Sequence, residues 1–206
     1  WERLDPKRGN IEFTLANLRI AQGSYTDALT HLKRVQVIAG DLPELLHNMG
    51  YCLHKMGDLN QALDLIDQAL KTKPDFLDAL NTRCTILLAM KEFDLAMKTA
   101  LRALNLEPSS CTILHNLGII SNAAGRPGDA ANYFSKVTLL HPEFAQGYVG
   151  LGNAYSKQGD YERAIVAFDK AISLKPNFSE AHYNKSIALK ESDQVEEAFN
   201  SAWAAL

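Results

Sequence analysis

Four prolines, Pro74, Pro108, Pro142 and Pro176, stand 34 residues apart, and Pro6 lies two such periods before Pro74. A single globular core has no reason to repeat a chain-breaking residue at a fixed interval. A period of about 20–50 residues marks an array of similar units, each burying its apolar face against its neighbours. With the prolines as a ruler, the repeats fall at 9–42, 43–76, 77–110, 111–144, 145–178 and 179–206, the last one partial. Residues 1–8 read as the tail of a preceding repeat.

The copy at 145–178 shows what each unit folds into. Tyr148, Leu151, Gly152 and Tyr155 follow the 3–4 step of a helix face. Gly159-Asp160 then supplies a helix stop followed by a start. Tyr161, Ala164, Phe168 and Ala171 form a second stripe, which Pro176 ends because proline cannot continue a helix. Each repeat therefore reads as helix, tight turn, helix, turn.

Small residues recur where two helices must approach closely. The middle of the first helix carries Ala16, Gly50, Cys84, Gly118, Gly152 and Ser186. The start of the second carries alanine in every copy: Ala28, Ala62, Ala96, Ala130, Ala164 and Ala198. A larger group at such a position costs about 1–3 kcal/mol in strain. The turn position is Gly23, Gly57, Gly125 and Gly159, with Lys91 and Asp193 in the other two copies.

The pattern Leu151-Gly152, Tyr155, Gly159, Tyr161, Ala164, Phe168, Ala171, Pro176 resembles the tetratricopeptide repeat. The resemblance implies an all-α fold, a right-handed superhelical solenoid of antiparallel helix pairs. It also implies that first helices line a concave groove and second helices lie outside. Nearly the whole chain takes part, as a single solenoid over 1–206. Arg19, Arg83 and Lys185 sit at stripe positions where an apolar residue is usual. Their long stems are expected to cover apolar surface while the charges reach water, with a local distortion or a buried ion pair as the alternative. Ser121 also interrupts a stripe, and Gly40 replaces a terminating proline.

Both ends cut through repeats. Trp1 to Pro6 matches the tail of a second helix, with Trp1 in the slot of Ala171, and 196–206 ends in a second helix without a stop signal. A piece of a longer protein is expected.

Composition and motifs argue against most chemistry. The formal net charge is −3, without the basic excess that nucleic acid demands. Apolar residues never run unbroken for about 18 positions, so no membrane span is expected. Cys52, Cys84 and Cys111 form no CxxC pair and read as packing residues in a reducing, cytoplasmic setting. His47 and His54 lie about 10 Å apart along one helix, too far to hold one metal. Gly147, Gly150 and Gly152 follow no strand, so a phosphate loop is not expected. The expectation is a non-enzyme with no catalytic residues, no metal and no cofactor.

The groove is the remaining candidate. Its first-helix residues include Asn17, then His47, Asn48 and Tyr51, then Asn81, then His115, Asn116 and Asn122, then Asn153, and finally Tyr183 and Asn184. Asparagine offers donors and an acceptor together, so it can pair with an extended peptide backbone whatever the side chains. Asn48, Asn116 and Asn184 share one repeat slot, which Thr14, Thr82 and Gly150 fill in alternate copies. The arrangement resembles the asparagine ladder in the repeat region of O-linked N-acetylglucosamine transferases. A carboxylate clamp is not expected, because the slots for lysine and arginine hold His47, Asn81, His115 and Val149.

The function expected is a protein-interaction scaffold that holds a peptide or protein partner in its groove, with no nucleic acid and no membrane insertion. Two alternatives stand beside it. One is the substrate-recruiting region of a larger glycosyltransferase or sulfotransferase. The other is self-association through the cut repeat ends.

Overall fold

The computed structural model describes residues 6–205 of the 206-residue chain. Residues 1–5 and 206 lie outside the described residues, and with them the proposed equivalence of Trp1 and Ala171. All regular structure among the described residues is helical. The chain divides into two compact units, Trp1–Leu106 and Glu107–Leu206. The first contains α1 (Pro6–Ala21), α2 (Tyr25–Ala39), α3 (Pro43–Met56), α4 (Leu59–Thr72), α5 (Leu77–Ala89) and α6 (Phe93–Leu106). The second contains α7 (Cys111–Ala123), α8 (Pro127–Leu140), α9 (Ala145–Lys157), α10 (Tyr161–Leu174), α11 (Ser179–Glu191) and α12 (Val195–Trp203). Within each unit every helix packs on the next, and alternate first helices also touch. Each unit is thus an all-α stack of antiparallel helix pairs, as the periodicity predicts.

The turn inside each pair is built the same way six times. Ser24, Asp58, Glu92, Arg126, Asp160 and Gln194 each donate a backbone N–H to the carbonyl five residues earlier, at 2.9–3.0 Å. This is the six-to-one bond of a Schellman ending, and it requires a left-handed residue just before the donor. Gly57 supplies it with φ 88°, and Lys91 and Asp193 adopt the same region at 63° and 61°. Loss of glycine therefore leaves the turn's shape unchanged and adds backbone strain. Asp58 and Asp160 start their helices by accepting the backbone N–H of Gln61 and Arg163.

The recurring small residues are where the helices meet. Ala28, Ala62, Ala96, Ala130 and Ala164 have no solvent exposure at all. A side chain on Gly50 would place its Cβ 2.9 Å from Ile66, and one on Gly152 would lie 2.5 Å from the Phe168 ring. Fully burying such large side chains contributes about 1.5–3 kcal/mol each, so the missing Cβ atoms exchange little apolar area for much better seating of Ile66 and Phe168.

The charged interruptions of the stripes find partners. Arg83 Nε donates to Asp67 at 2.6 Å and its Nη1 donates to Thr99 at 2.6 Å. Lys185 donates to Asp169 at 2.6 Å, in the same repeat positions three copies later. Arg19 instead donates to Gln22, in the turn just after its own helix. Stem packing alone does not describe Arg83 and Lys185, because an aspartate on the preceding second helix meets each charge. Ser121 is fully buried, and its hydroxyl has no hydrogen-bond partner.

Candidate functional site

The first helices of each unit present a polar face. In the first unit, Asn48 donates its side-chain amide to the Asn17 carbonyl at 2.9 Å, linking α3 to α1. In the second unit, Asn184 donates to the Asn153 carbonyl at 3.0 Å, linking α11 to α9. The two pairs occupy identical repeat positions. In each, the first asparagine keeps its NH2 donors and the second has a carbonyl that can still accept, although the Asn48 side chain also interacts with the neighbouring His47.

The histidines of this face are held by aromatic rings. His47 lies with its ring centroid 5.1 Å from Phe76, and its Nε2 is 3.0 Å from the Thr82 hydroxyl. His115 meets Phe134 and Phe144 edge-on, each at 5.5 Å. Burial pushes both histidines below the ordinary range, opposed by Asp78 at His47 and by Glu180 at His115. Both therefore favour the neutral ring. His54, also lowered by burial, has an Nδ1 without a hydrogen-bond partner. Tyr51 packs edge-on against Tyr25 at 6.2 Å, with the Lys55 ammonium 5.3 Å from its ring. Glu44 is exposed and bonded to Lys73 at 2.7 Å, which holds its carboxyl below the usual value.

In the second unit, a cleft of about 310 Å³ opens on the same face, lined by His115, Asn122, Gln146, Asn153, Lys157 and Glu180 among others. Phe134 forms part of its floor, sandwiched between Gly118 and Gly150. A Cβ on Gly150 would sit 2.4 Å from that ring, which accounts for the break in the asparagine series there. The Asn122 side-chain oxygen is buried without a partner, while its backbone carbonyl accepts Lys157 Nζ at 3.0 Å.

The structure thus brings Asn17 to Asn48 and Asn153 to Asn184. Asn81 and Asn116 are half-buried on α5 and α7, and Tyr183 is exposed on α11. Lys157 and the Phe134 ring were not among the candidates from the sequence. The glycines in two successive first helices, Gly118 and Gly150, were the available signal for an intruding ring.

The cysteines are unpaired. Burial raises the Cys52 thiol to about 11 and the Cys84 thiol to about 12, so both stay protonated at neutral pH. Among the described residues no three His, Cys, Asp or Glu side chains form a metal-binding group, and no helix is long and apolar enough to cross a membrane.

Three family models described as tetratricopeptide repeat match residues 53–117, 145–178 and 167–200, together more than half of the chain. The chain belongs to the tetratricopeptide repeat family. It is 29% identical over 143 residues to a UDP-N-acetylglucosamine–peptide N-acetylglucosaminyltransferase of Giardia intestinalis. The match takes in 68% of this chain and 10% of the transferase, so this chain spans about a tenth of that relative. Among solved structures, the Cut9–Hcn1 hetero-tetramer of the APC/C aligns with TM-score 0.83 at 15% identity, covering 98% of this chain and 40% of that one. YrrB, described as a TPR protein with an unusual peptide-binding site, aligns with TM-score 0.66 at 21% identity, over 82% of this chain and 88% of its own. These alignments support the fold.

Proposed function

We propose that the chain is a non-catalytic interaction module whose first-helix faces form a groove for an extended segment of a protein partner. The observation that carries this reading is the pair of asparagine couples, Asn17 with Asn48 and Asn153 with Asn184. Each couple offers an amide donor beside a carbonyl acceptor, the complement of one peptide unit. Recognition through backbone groups tolerates many side chains. The face has few lysines and arginines to replace counterions, which disfavours nucleic acid. The neutral histidines and their aromatic rings supply apolar contact between the polar couples. The protonated thiols fit a reducing, cytoplasmic setting.

The test begins with peptides selected from a random library on the 206-residue chain. Two backbone hydrogen bonds at about 0.5–1.5 kcal/mol each set the scale. Asn48→Ala combined with Asn184→Ala should weaken a selected peptide about 10-fold in fluorescence anisotropy, with the helical circular dichroism unchanged. N-methylation of the peptide backbone should do the same. Unchanged affinity in both arms would remove the groove reading.

The match to the Giardia transferase favours a second reading, in which the same groove recruits substrate for a larger glycosyltransferase. A nucleotide-sugar-binding domain encoded beside this segment would support it, and its absence from the full reading frame would exclude it.

A further inference from the structure

A cleft of about 430 Å³ opens within the first unit and shares no residue with the asparagine couples. Its lining comes from two second helices, α4 and α6, and from α5, which packs on both. Four cations line it: Lys71 from α4, Arg83 from α5, and Lys98 and Arg102 from α6. Asp67 is the one acidic residue in that lining. The formal net charge of the whole chain is −3, so this cleft runs against the chain's overall sign. A cleft lined by one sign of charge concentrates ions of the other.

Two of the four cations are held by the fold. Arg83 is fixed by Asp67 and Thr99, and Arg102 donates to the Pro74 carbonyl with Asp75 at 3.8 Å. Lys71 and Lys98 are exposed and form no ion pair among the described residues. Asp67 and Asp94 stand four residues before them, the spacing of a pair on a helix surface. Asp67 is taken by Arg83 instead, and Asp94 pairs with neither lysine. The apolar part of the lining includes Leu70 and Leu80, 8% and 1% exposed, and Leu95, which is 46% exposed.

The second unit supplies a comparison. Its Asp169–Lys185 pair repeats Asp67–Arg83, each at 2.6 Å. Around it the slots of Lys71, Lys98 and Arg102 hold Ser173, Asn200 and Ala204, and the slot of Leu95 holds Glu197. A pair of this kind therefore forms without further cations beside it. The clustering belongs to one junction, and helix packing does not require it.

We propose that this cleft is a second docking site, which takes an acidic segment of a protein partner, with carboxylates on Lys71 and Lys98 and an apolar side chain against Leu95. Charge complementarity selects the occupant. Carboxylates would give the two lysines the partners they lack, in charge-assisted bonds, while Arg83 and Arg102 add to the field. An apolar side chain beside them would cover Leu95. A nucleic acid strand would call for aromatic platforms for its bases, and no aromatic residue lines the cleft. The site is independent of the groove.

Fluorescence anisotropy of the 206-residue chain with labelled peptides tests the proposal. The probe alternates pairs of glutamates with single leucines, and its control has glutamine for every glutamate. The glutamate peptide should bind at least about 10-fold more tightly than the control. Its affinity should fall as ionic strength rises from about 0.1 M to about 1 M, where screening is stronger. Lys71→Glu with Lys98→Glu, both at exposed positions, should abolish that binding with unchanged helical circular dichroism. A peptide with lysine for every glutamate should bind this charge-reversed variant better than it binds the parent chain. Lys71→Gln with Lys98→Gln replaces the reversed variant should the latter lose helicity. Asn48→Ala with Asn184→Ala should leave the glutamate peptide's affinity unchanged, so this site and the groove fail separately. Equal binding of the glutamate and glutamine peptides, or full affinity in the lysine variants, would overturn the proposal. So would loss of affinity in the asparagine variant, or an oligoadenylate RNA that binds as tightly through the same two lysines. Self-association in sedimentation that Lys71→Glu with Lys98→Glu removes would give the cleft to a second copy and overturn it as well.

Discussion

Glu12 Oε2 lies 2.6 Å from His31 Nδ1 inside the first helix pair, at positions that hold Leu46 and Leu65 one repeat later. Glu12 is only 8% exposed, and Arg34 adds a longer contact at 3.4 Å. A polar pair has replaced an apolar one at the α1/α2 contact. The His31 hydrogen bond is the main reason the Glu12 carboxyl sits below the usual glutamate range, with burial opposing it.

Removing one partner should cost more than removing both. His31→Ala leaves a buried carboxylate with a weaker partner and should destabilise the first unit by about 1–3 kcal/mol. Glu12→Leu with His31→Leu restores the residues of the next repeat and should be neutral or stabilising. Urea denaturation of His31→Ala, Glu12→Leu and the double variant measures this. Equal losses in all three would show that the pair is not coupled.

Stability should fall with acid in two stages. The half-buried His47, His54 and His115 have depressed values, so the unfolded chain binds their protons more readily than the folded one. Their stabilisation is complete above about pH 6.5, the ordinary histidine value, and is lost as the pH falls from there through the depressed values. Glu12 and Glu44 are also depressed, by His31 and Lys73. Their contribution is present above the ordinary glutamate range and disappears below it. Denaturation midpoints from neutral to acidic pH should show both stages, and His47→Phe with His115→Phe should flatten the upper one. A flat profile between about pH 7 and pH 5 would contradict the burial of the histidines.

Gly150→Ala should disturb the second unit's core. The new methyl would fall 2.4 Å from the Phe134 ring, which is only 1% exposed and is already pressed against Gly118. Overpacking of this kind costs about 1–3 kcal/mol. Adding Phe134→Leu should recover part of the loss by vacating the space. Calorimetry of the two variants would show whether the ring is the obstacle.

Lys91→Gly should stabilise the turn between α5 and α6. Lys91 holds φ at 63°, where four of the other five hairpin turns have glycine. Relief of left-handed strain, partly offset by glycine's greater freedom when unfolded, gives a gain of about 0.5–1 kcal/mol. A lower melting temperature for Lys91→Gly would mean that the lysine side chain compensates for its backbone.

The helix-turn-helix rhythm was legible because it rests on local preferences. Pro176 stops a helix wherever it stands, and Gly159 ends one at low steric cost. The alanines from Ala28 to Ala198 were legible as packing points for the same reason, repetition in phase. Much of the groove's content was less so. Asn48, Asn116 and Asn184 occupy one slot, yet the bond that Asn48 makes goes to Asn17, 31 residues away. His47, which reads as a groove polar group, lies against the ring of Phe76. Arg83 and Lys185 read first as snorkelling cations, with an ion pair as the alternative, and each meets an aspartate on the neighbouring helix.

By itself the sequence determined the phase of the repeat, and with it the helices, the six turns and the positions that must stay small. These follow from backbone preferences and side-chain volume acting within one or two turns of chain. Tertiary structure decided which polar groups meet. The Asn17–Asn48 and Asn153–Asn184 couples join residues 31 apart in a chain whose period is 34, a stagger of about one helical turn. That stagger comes from how first helices lie beside one another once Ile66 and Phe168 have packed under Gly50 and Gly152. No local preference along the chain encodes it.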